Sequence, residues 1–329
     1  MWKMVFENNY KSSLVIKEKL PIEKRLKIGF PKALVFYEHC KLWKDFFDAL
    51  GCDVITSDDT NRHILDIGVK MCSNEICLPV KIFHGHAYSL KDKVDYVFIP
   101  RYDSYIKNEF TCPKFCGLPD MTYLNLKKEV KIIEIRVNVT RDADKTKQSL
   151  MEFCRVLNKD YDEVYDAFEN TVRKRLKEES FSHSDERFDD NKPLIAVLGH
   201  PYMLRDEFIN MNLINKLKDK GVSVITPADI DGETKRRNAA PFDGRTFWSV
   251  GFDNLGCAFT VITNPLLKGI IYLTPFACGI DSIVTELIEK KLRFYPNVNW
   301  LRLSIDEHTG EAGFDTRVEA FLDMIGGIS

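Results

Sequence analysis

Short apolar runs alternate along this chain with apolar stripes at helical spacing. Leu26 to Phe30 reads as a strand, and Phe36, Cys40, Trp43, Phe47 and Leu50 have the three- and four-residue spacing of an amphipathic helix that Gly51 closes. Asp53 to Thr56, Val94 to Pro100 and Lys131 to Val137 read as further strands, and their alternation with helical or loop segments predicts a parallel α/β sheet. From Asp142 to about Arg187 the pattern turns helical and charged, with the stripes Leu150, Phe153, Cys154, Leu157 and Val164, Phe168, Val172, Leu176. The polar stretch Ser180 to Asn191 breaks it. Strand signals restart at Pro193–Gly199, Val222–Thr226, Gly269–Thr274 and Trp300–Ile305. The expected organisation is an N-terminal extension (1–25), a first α/β domain (26–141), a helical connector (142–191) and a second α/β domain (192–329).

Composition narrows the classes. The 329 residues carry 47 Lys+Arg against 49 Asp+Glu, a net charge of −2, so no global positive field draws the chain to nucleic acid or an anionic membrane. At 29% charged and 44% hydrophobic the chain reads as a soluble globular enzyme or binding protein. Met1 to Tyr10 lacks the basic-then-apolar order of a secretory signal, and no apolar run is long enough to span a bilayer, so a cytoplasmic location is expected. The basic run Arg173, Lys174, Arg175, Lys177 reads as a solvated helix face. Neither a Gly-x-Gly-x-x-Gly fingerprint nor a P-loop is present, and there is no Cys-x-x-Cys.

Nine cysteines, an odd number over a long chain, read as thiols, metal ligands or catalysts rather than as a disulfide framework. Cys40 and Cys154 lie on apolar stripes and Cys52 opens a strand, so these three read as core. Pro79 suits the first turn of a helix through Leu90, which puts Cys77 just before a helix N-terminus, where exposed N–H groups stabilise a thiolate; Cys72 lies five residues earlier. Cys112 and Cys116 fall in the stretch Thr111 to Pro119, whose prolines and glycine predict a loop. Cys278 stands between a strand and a helix that Asp281 or Ser282 can cap, whereas Cys257 fits a packed thiol as well as a ligand.

Ligands of open α/β sheets sit beyond the carboxyl ends of the strands. His200-Pro201-Tyr202, Cys278-Gly279 and Asp306 to Glu311 fall there in the second half, as do Pro31-Lys32 and the Cys112 segment in the first. Two such crevices facing each other make one interdomain cleft lined by cysteines, which favours a sulfur-ligated metal cofactor. By spacing, tetrahedral zinc on Cys72, Cys77, Cys112 and Cys116 competes evenly with an iron–sulfur cluster, and only the cluster uses Cys278. His84 and His86, two apart on a helix, point in different directions and read as hydrogen-bonded structural residues. Lys32, Lys81 and His308 are the candidate catalytic residues, able to supply protons or to hold an anionic substrate.

Taken as a set, Ile28-Gly29-Phe30-Pro31-Lys32-Ala33, Cys77-Leu78-Pro79-Val80-Lys81 with Gly85-His86, and Cys112-Pro113-Lys114-Phe115 with Leu118-Pro119-Asp120 resemble the acyl-CoA dehydratase activase-related proteins. His200-Pro201-Tyr202, Cys278-Gly279-Ile280-Asp281-Ser282 and Asp306 to Gly313 complete the resemblance. That family is related to the D-component subunits of 2-hydroxyacyl-CoA dehydratases and to double-cubane cluster proteins. The resemblance implies two Rossmann-like domains with an oxygen-sensitive iron–sulfur cluster between them, either 4Fe-4S or a double-cubane 8Fe-9S. Cys77, Cys112 and Cys278 match the family's cysteines best by position, and Cys72, Cys116 and Cys257 would complete six ligands. It also implies a separate ATP-hydrolysing activase of the actin-like fold that delivers a low-potential electron, and a homodimer. On this reading the chain reduces a small substrate at the cluster, in the narrower version an acyl-CoA. The rival expectations are a zinc-stabilised noncatalytic scaffold or partner-binding protein, and an iron–sulfur electron carrier or assembly factor.

Overall fold

The computed structural model describes residues 25–127, 129–139, 143–181, 192–240 and 248–326. Its first half runs β1 (Lys27–Phe30), α1 (Phe36–Ala49), β2 (Asp53–Thr56), α2 (Arg62–Met71), α3 (Leu78–Ser89), β3 (Tyr96–Phe98), β4 (Arg101–Ser104), α4 (Pro113–Asn125), β5 (Ile132–Ile133) and β6 (Arg136–Asn138). Two helices follow, α5 (Ala143–Leu157) and α6 (Tyr161–Phe181). The second half runs β7 (Leu194–Gly199), α7 (Pro201–Arg205), α8 (Leu213–Asp219), β8 (Ser223–Ile225), α9 (Gly232–Ala239), α10 (Ser249–Val261), β9 (Leu267–Pro275), α11 (Gly279–Leu292), β10 (Asn299–Ile305) and α12 (Glu311–Met324).

Two four-stranded sheets form, ordered β2-β1-β3-β5 and β10-β9-β7-β8, and every pairing in both is parallel. The fold is therefore α/β with two parallel sheets, as the alternation of apolar runs predicts. β7 is buried throughout, and of the nine residues of β9 only Lys268 is exposed, as strands covered on both faces require. The α1 stripe buries Trp43, Phe46 and Phe47, and Phe47 meets Phe30 and Phe98 edge-on at 5.6 and 4.9 Å.

Three expectations change. The single strand expected over Lys131 to Val137 is two, because its partner bends at Pro100: the ladder runs from Val97 N–H to Lys131 O and Ile99 N–H to Ile133 O, then continues as Arg101 N–H to Ile135 O in the separate pair β4-β6. The expected loop Thr111 to Pro119 is mostly helix α4, since Pro113 takes a first-turn position, where its fixed φ is preorganised, and Pro119 is tolerated farther in. The expected caps Asp281 and Ser282 lie inside α11, whose N-cap is Cys278. The N-terminal extension up to residue 24 and most of the polar stretch 180–191 lie outside the described residues.

The halves meet along a continuous core that joins Leu78, Phe83 and Ile99 to Ile195, Ile271, Leu303 and Phe314. Polar bonds cross the same seam: Ser249 N–H donates to Phe110 O at 3.1 Å, and Arg236 pairs with Glu109. Among the described residues no helix is long and apolar enough to cross a membrane.

α2 and α3 approach so closely that a Cβ at Gly68 would stand 1.9 Å from Lys81 O, and one at Gly85 would stand 2.0 Å from Ile64 O. Gly68→Ala therefore forces two helix backbones apart and is expected to lower stability by about 3 kcal/mol in urea unfolding. Gly313→Ala, whose Cβ would meet nothing within 4 Å, should stay within about 0.5 kcal/mol of the parent.

Candidate functional site

Parallel sheets deliver the starts of their helices to one edge, and here several of those starts carry the chemistry. Cys77 is the N-cap of α3, Cys112 of α4, Cys278 of α11 and His200 of α7, and in each case proline or glycine opens the helix or follows within two residues. None of the four side chains caps its own helix, so each is free to face the junction. Gly199 sets His200: its φ of +150° and a Leu273 O that would lie 2.6 Å from a Cβ leave room only for glycine. Ala277, before Cys278, holds φ +63°, a left-handed conformation that costs about 1–2 kcal/mol outside glycine.

Cys112 lies within charge range of both Cys77 and Cys278. Burial pushes the Cys112 thiol above its usual range; the Lys114 backbone N–H and His200 oppose the rise, and charge on Cys77 and Cys278 adds to it. The Tyr202 phenol, 6% exposed, is raised first by burial and then by charge on Cys278, Cys77, Asp281 and Cys112, all of which lie within charge range of it. Lys114 Nζ donates to Cys77 Sγ at 3.2 Å. His200 Nε2 lies 3.5 Å from Cys278 Sγ and 3.2 Å from Asp281 Oδ1, and its ring stacks on Tyr202 at 4.8 Å. Burial alone would lower the His200 pKa, but the Asp281 carboxylate raises it well above the ordinary value. Tyr272 donates to Asp281 Oδ1 at 2.8 Å, while buried Asp281 Oδ2 has no partner among the described residues.

The remaining sequence candidates are placed as follows. Cys72 is half-buried, within charge range of Cys77 and Lys81, and burial pushes its thiol up to about 11. Cys116 is in a different environment: burial and then Asp103 raise its thiol, and Arg136 reaches its Sγ at 3.9 Å. Cys257 is fully buried on α10 inside the second-half core, its thiol raised by burial. The six-cysteine set is thus not brought together: Cys116 and Cys257 face other neighbours. Nor do the catalytic candidates converge. Lys32 pairs with Asp59 at the sheet edge, His308 is exposed in the turn after β10, and Lys81 is buried in an ion pair with Glu307. Sequence reasoning placed His200-Pro201-Tyr202 beyond a strand's carboxyl end and read Asp281 as a helix cap, but it gave no role to His200, Tyr202 or Lys114 and did not pair Asp281 with His200. The spacing of Cys278 and Asp281 was the available signal, because three residues apart at a helix start share a face.

The Lys81–Glu307 pair ties α3 to the turn after β10, and Lys81 Nζ also donates to Asn74 O at 3.1 Å. Burial works to raise the Glu307 carboxyl, but the bond from Lys81 prevails and holds it below the usual range. A carboxyl lowered in the folded state binds its proton more readily in the unfolded chain, so this stability is present at neutral pH and is lost as pH falls below about 4.5. Glu307→Gln, which strands a buried ammonium, is expected to cost about 3 kcal/mol at pH 7 in urea unfolding. In Lys81→Met the acid-side loss of stability due to Glu307 should disappear, and the double substitution should cost less than the sum of the single ones.

No curated protein matches the chain. Among solved structures, a nickel-bound substrate-binding protein FpvC from P. aeruginosa aligns at 10% identity over 92% of this chain and 96% of that one, with a TM-score of 0.26. A sugar ABC transporter protein from Yersinia enterocolitica aligns at 11% identity over 85% of this chain and 66% of that one, with a TM-score of 0.22. TM-scores this low carry no argument about fold or ligand. A family model described as the CoA enzyme activase uncharacterised domain matches residues 27–230, which include Cys77, Cys112 and His200 but not Cys278. This overturns the expectation of an iron–sulfur protein that receives electrons from an activase and reduces a small substrate, since the match puts the chain on the activating side and makes the activase the wrong partner. Because the match runs from β1 past β8, over more than half of the sequence, the chain belongs to the CoA enzyme activase uncharacterised domain family.

Proposed function

We propose that this chain serves on the activating side of a CoA enzyme as an iron–sulfur protein, with Cys77, Cys112 and Cys278 as thiolate ligands and the CoA enzyme, of the dehydratase kind, as its partner. The observation that carries this reading is that three thiols, each at a separate helix N-cap, lie within charge range of Tyr202 at the seam between the two halves. When bound, such a cluster supplies a one-electron carrier whose potential depends on burial and on hydrogen bonds to sulfur. The donor set fits the group. Helix N-termini favour the thiolate form, Lys114 donates to Cys77 Sγ, and His200 offers a hydrogen-bonding nitrogen beside Cys278 Sγ.

Spacing favours a cluster over one zinc shared by the three thiols. A tetrahedral ion with Zn–S of about 2.3 Å needs sulfurs about 3.8 Å apart, whereas the three thiols do not all lie within 4.8 Å of one another. A cluster puts each thiolate on its own iron and tolerates the wider set. A second reading rests on one specific observation: ligand atoms of His200, Cys278 and Asp281 do lie within 4.8 Å of one another, which suits a single mixed-ligand zinc.

Iron, acid-labile sulfide and zinc are to be measured on protein purified without oxygen, with EPR before and after dithionite. The expected result is iron and sulfide in equal amounts, about four of each per chain for a single cubane. Cys77→Ser, Cys112→Ser or Cys278→Ser should each lower the iron content by half or more, with Cys116→Ser and Cys257→Ala retaining it. One zinc per chain without sulfide, lost in Asp281→Asn, would establish the mononuclear reading instead, and full iron in Cys278→Ser would remove that residue from the site.

A further inference from the structure

A chain of polar side chains crosses the seam and joins the helix that carries Cys77 to the helix that carries His200. His86, on α3, sets Nδ1 against Ser57 Oγ at 2.8 Å and Nε2 against Thr60 Oγ1 at 3.0 Å. Ser57 Oγ also accepts from the Lys32 N–H at 2.8 Å, and Thr60 Oγ1 donates to Oδ2 of Asp206. The Tyr37 hydroxyl donates to the same oxygen at 3.1 Å, while the Phe208 and Ile209 N–H groups donate to Oδ1 at 3.1 and 3.2 Å. Ser57, His86 and Asp206 are buried. Asp206 is the C-cap of α7 in the second half, and Tyr37, Ser57, Thr60 and His86 all belong to the first.

The direction of each bond follows from what each group can give. Asp206 faces four donors, as an ionised carboxylate does: burial raises its carboxyl, and the bonds from Thr60, Ile209, Tyr37 and Phe208 oppose the rise. Burial, and then Asp206, raise the Tyr37 phenol above its usual range, which keeps it a donor. Thr60 spends its one proton on Asp206 and must accept from His86, so Nε2 carries the imidazole proton. Nδ1 then accepts from Ser57, whose oxygen already accepts from Lys32. The other tautomer would leave the Ser57 proton buried with no acceptor among the described residues. Burial, and then Lys32, lower the His86 pKa to about 4 against the pull of Asp58 and Asp59, so the ring is neutral at pH 7.

We propose that His86, Thr60 and Asp206 form a relay of fixed direction that positions His200 against Cys278, with His86 held as the Nε2–H tautomer and Asp206 as the contact across the seam. α7 is only five residues long, so a constraint at its C-cap fixes its N-cap. At the N-cap His200 meets Asp281 and Cys278; at the C-cap Asp206 meets Thr60 and Tyr37, with Arg205 donating to the Tyr37 carbonyl beside them. On the other side of the seam His86 and Cys77 share α3, one in its body and the other at its N-cap. The helix starts that offer Cys77 and His200 are thus held relative to each other by bonds made farther along the same two helices. Removing an outer partner of this kind typically costs about 10- to 100-fold in metal affinity. The relay itself needs no metal, and only its consequence for the metal rests on the function proposed above.

Long-range proton–nitrogen NMR spectra of the full chain, labelled with heavy nitrogen in histidine and freed of metal, test the relay separately from the metal it serves. His86, assigned by the loss of its signals in His86→Gln, is expected to show the neutral Nε2–H tautomer at pH 7. Thr60→Val removes both hydroxyl bonds at nearly constant shape and is expected to move the His200 ring signals, whereas Thr60→Ser keeps the hydroxyl and should leave them where the parent has them. Tyr37→Phe, which removes the other side-chain bond to Asp206, should move them in the same direction and takes the place of Thr60→Val if that variant does not fold. Val261→Ala, a core truncation on α10, controls for general loosening and should not move them. An Nδ1–H tautomer or an imidazolium at His86, His200 signals unchanged in folded Thr60→Val and Tyr37→Phe, or the same shift in Val261→Ala would overturn the proposal. The iron content of the untreated parent decides the function proposed above and leaves these outcomes as they are.

Discussion

An ammonium group buried in the seam between the two sheets organises much of what surrounds it. The Lys81 side chain is 2% exposed, and Glu307 and the Asn74 carbonyl accept hydrogen bonds from its Nζ. Those acceptors come from the loop before α3 and the turn after β10, so one charge fixes three segments at once. α3 carries Cys77 at its N-cap and has little freedom on its other side, where Gly68 and Gly85 press backbone against backbone with α2. The position of the first thiol thus follows from a polar bond and a glycine-limited helix contact rather than from any interaction of sulfur itself.

Topology places the other two thiols, since α4 and α11 follow β4 and β9 directly, whereas α3 follows α2. In a parallel sheet every helix that follows a strand starts at the carboxyl edge, and two sheets meeting along a seam bring such edges together. Helix N-termini favour thiolate, while burial disfavours it, and at Cys112 burial wins. A cation or cluster reverses that balance, since thiolate charge then has a counter-charge and no longer needs water. The fold therefore disfavours an ionised thiol at Cys112, and a counter-charge beside the sulfur is what would offset that cost.

Much of this was legible in the sequence, for identifiable reasons. β7 and β9 are covered on both faces, so they read as nearly unbroken apolar runs, and α1 shows its stripe because one face packs on Phe30 and Phe98. β4 was hidden because its sequence, Arg101 to Ser104, is polar: Arg101 is satisfied by Glu134 and Asp120, and Asp103 by Arg136, all distant in sequence. α4 was hidden by Pro113, Gly117 and Pro119, which signal a loop unless the first proline happens to open a helix. Positions just before helices marked Cys77 and Cys278 correctly as helix-terminal residues. No local pattern could show that Cys116 would meet Asp103 and Arg136, or that Tyr202 would lie within charge range of sulfurs from three other segments.

The seam also sets what the candidate site requires. Cys77 and Cys112 belong to the first half and Cys278 and His200 to the second, so the set exists only where the two halves pack together along their shared core. Residues 231–329, outside the family match, supply Cys278 and Asp281, so the candidate site is a property of the whole chain and not of the matched segment alone.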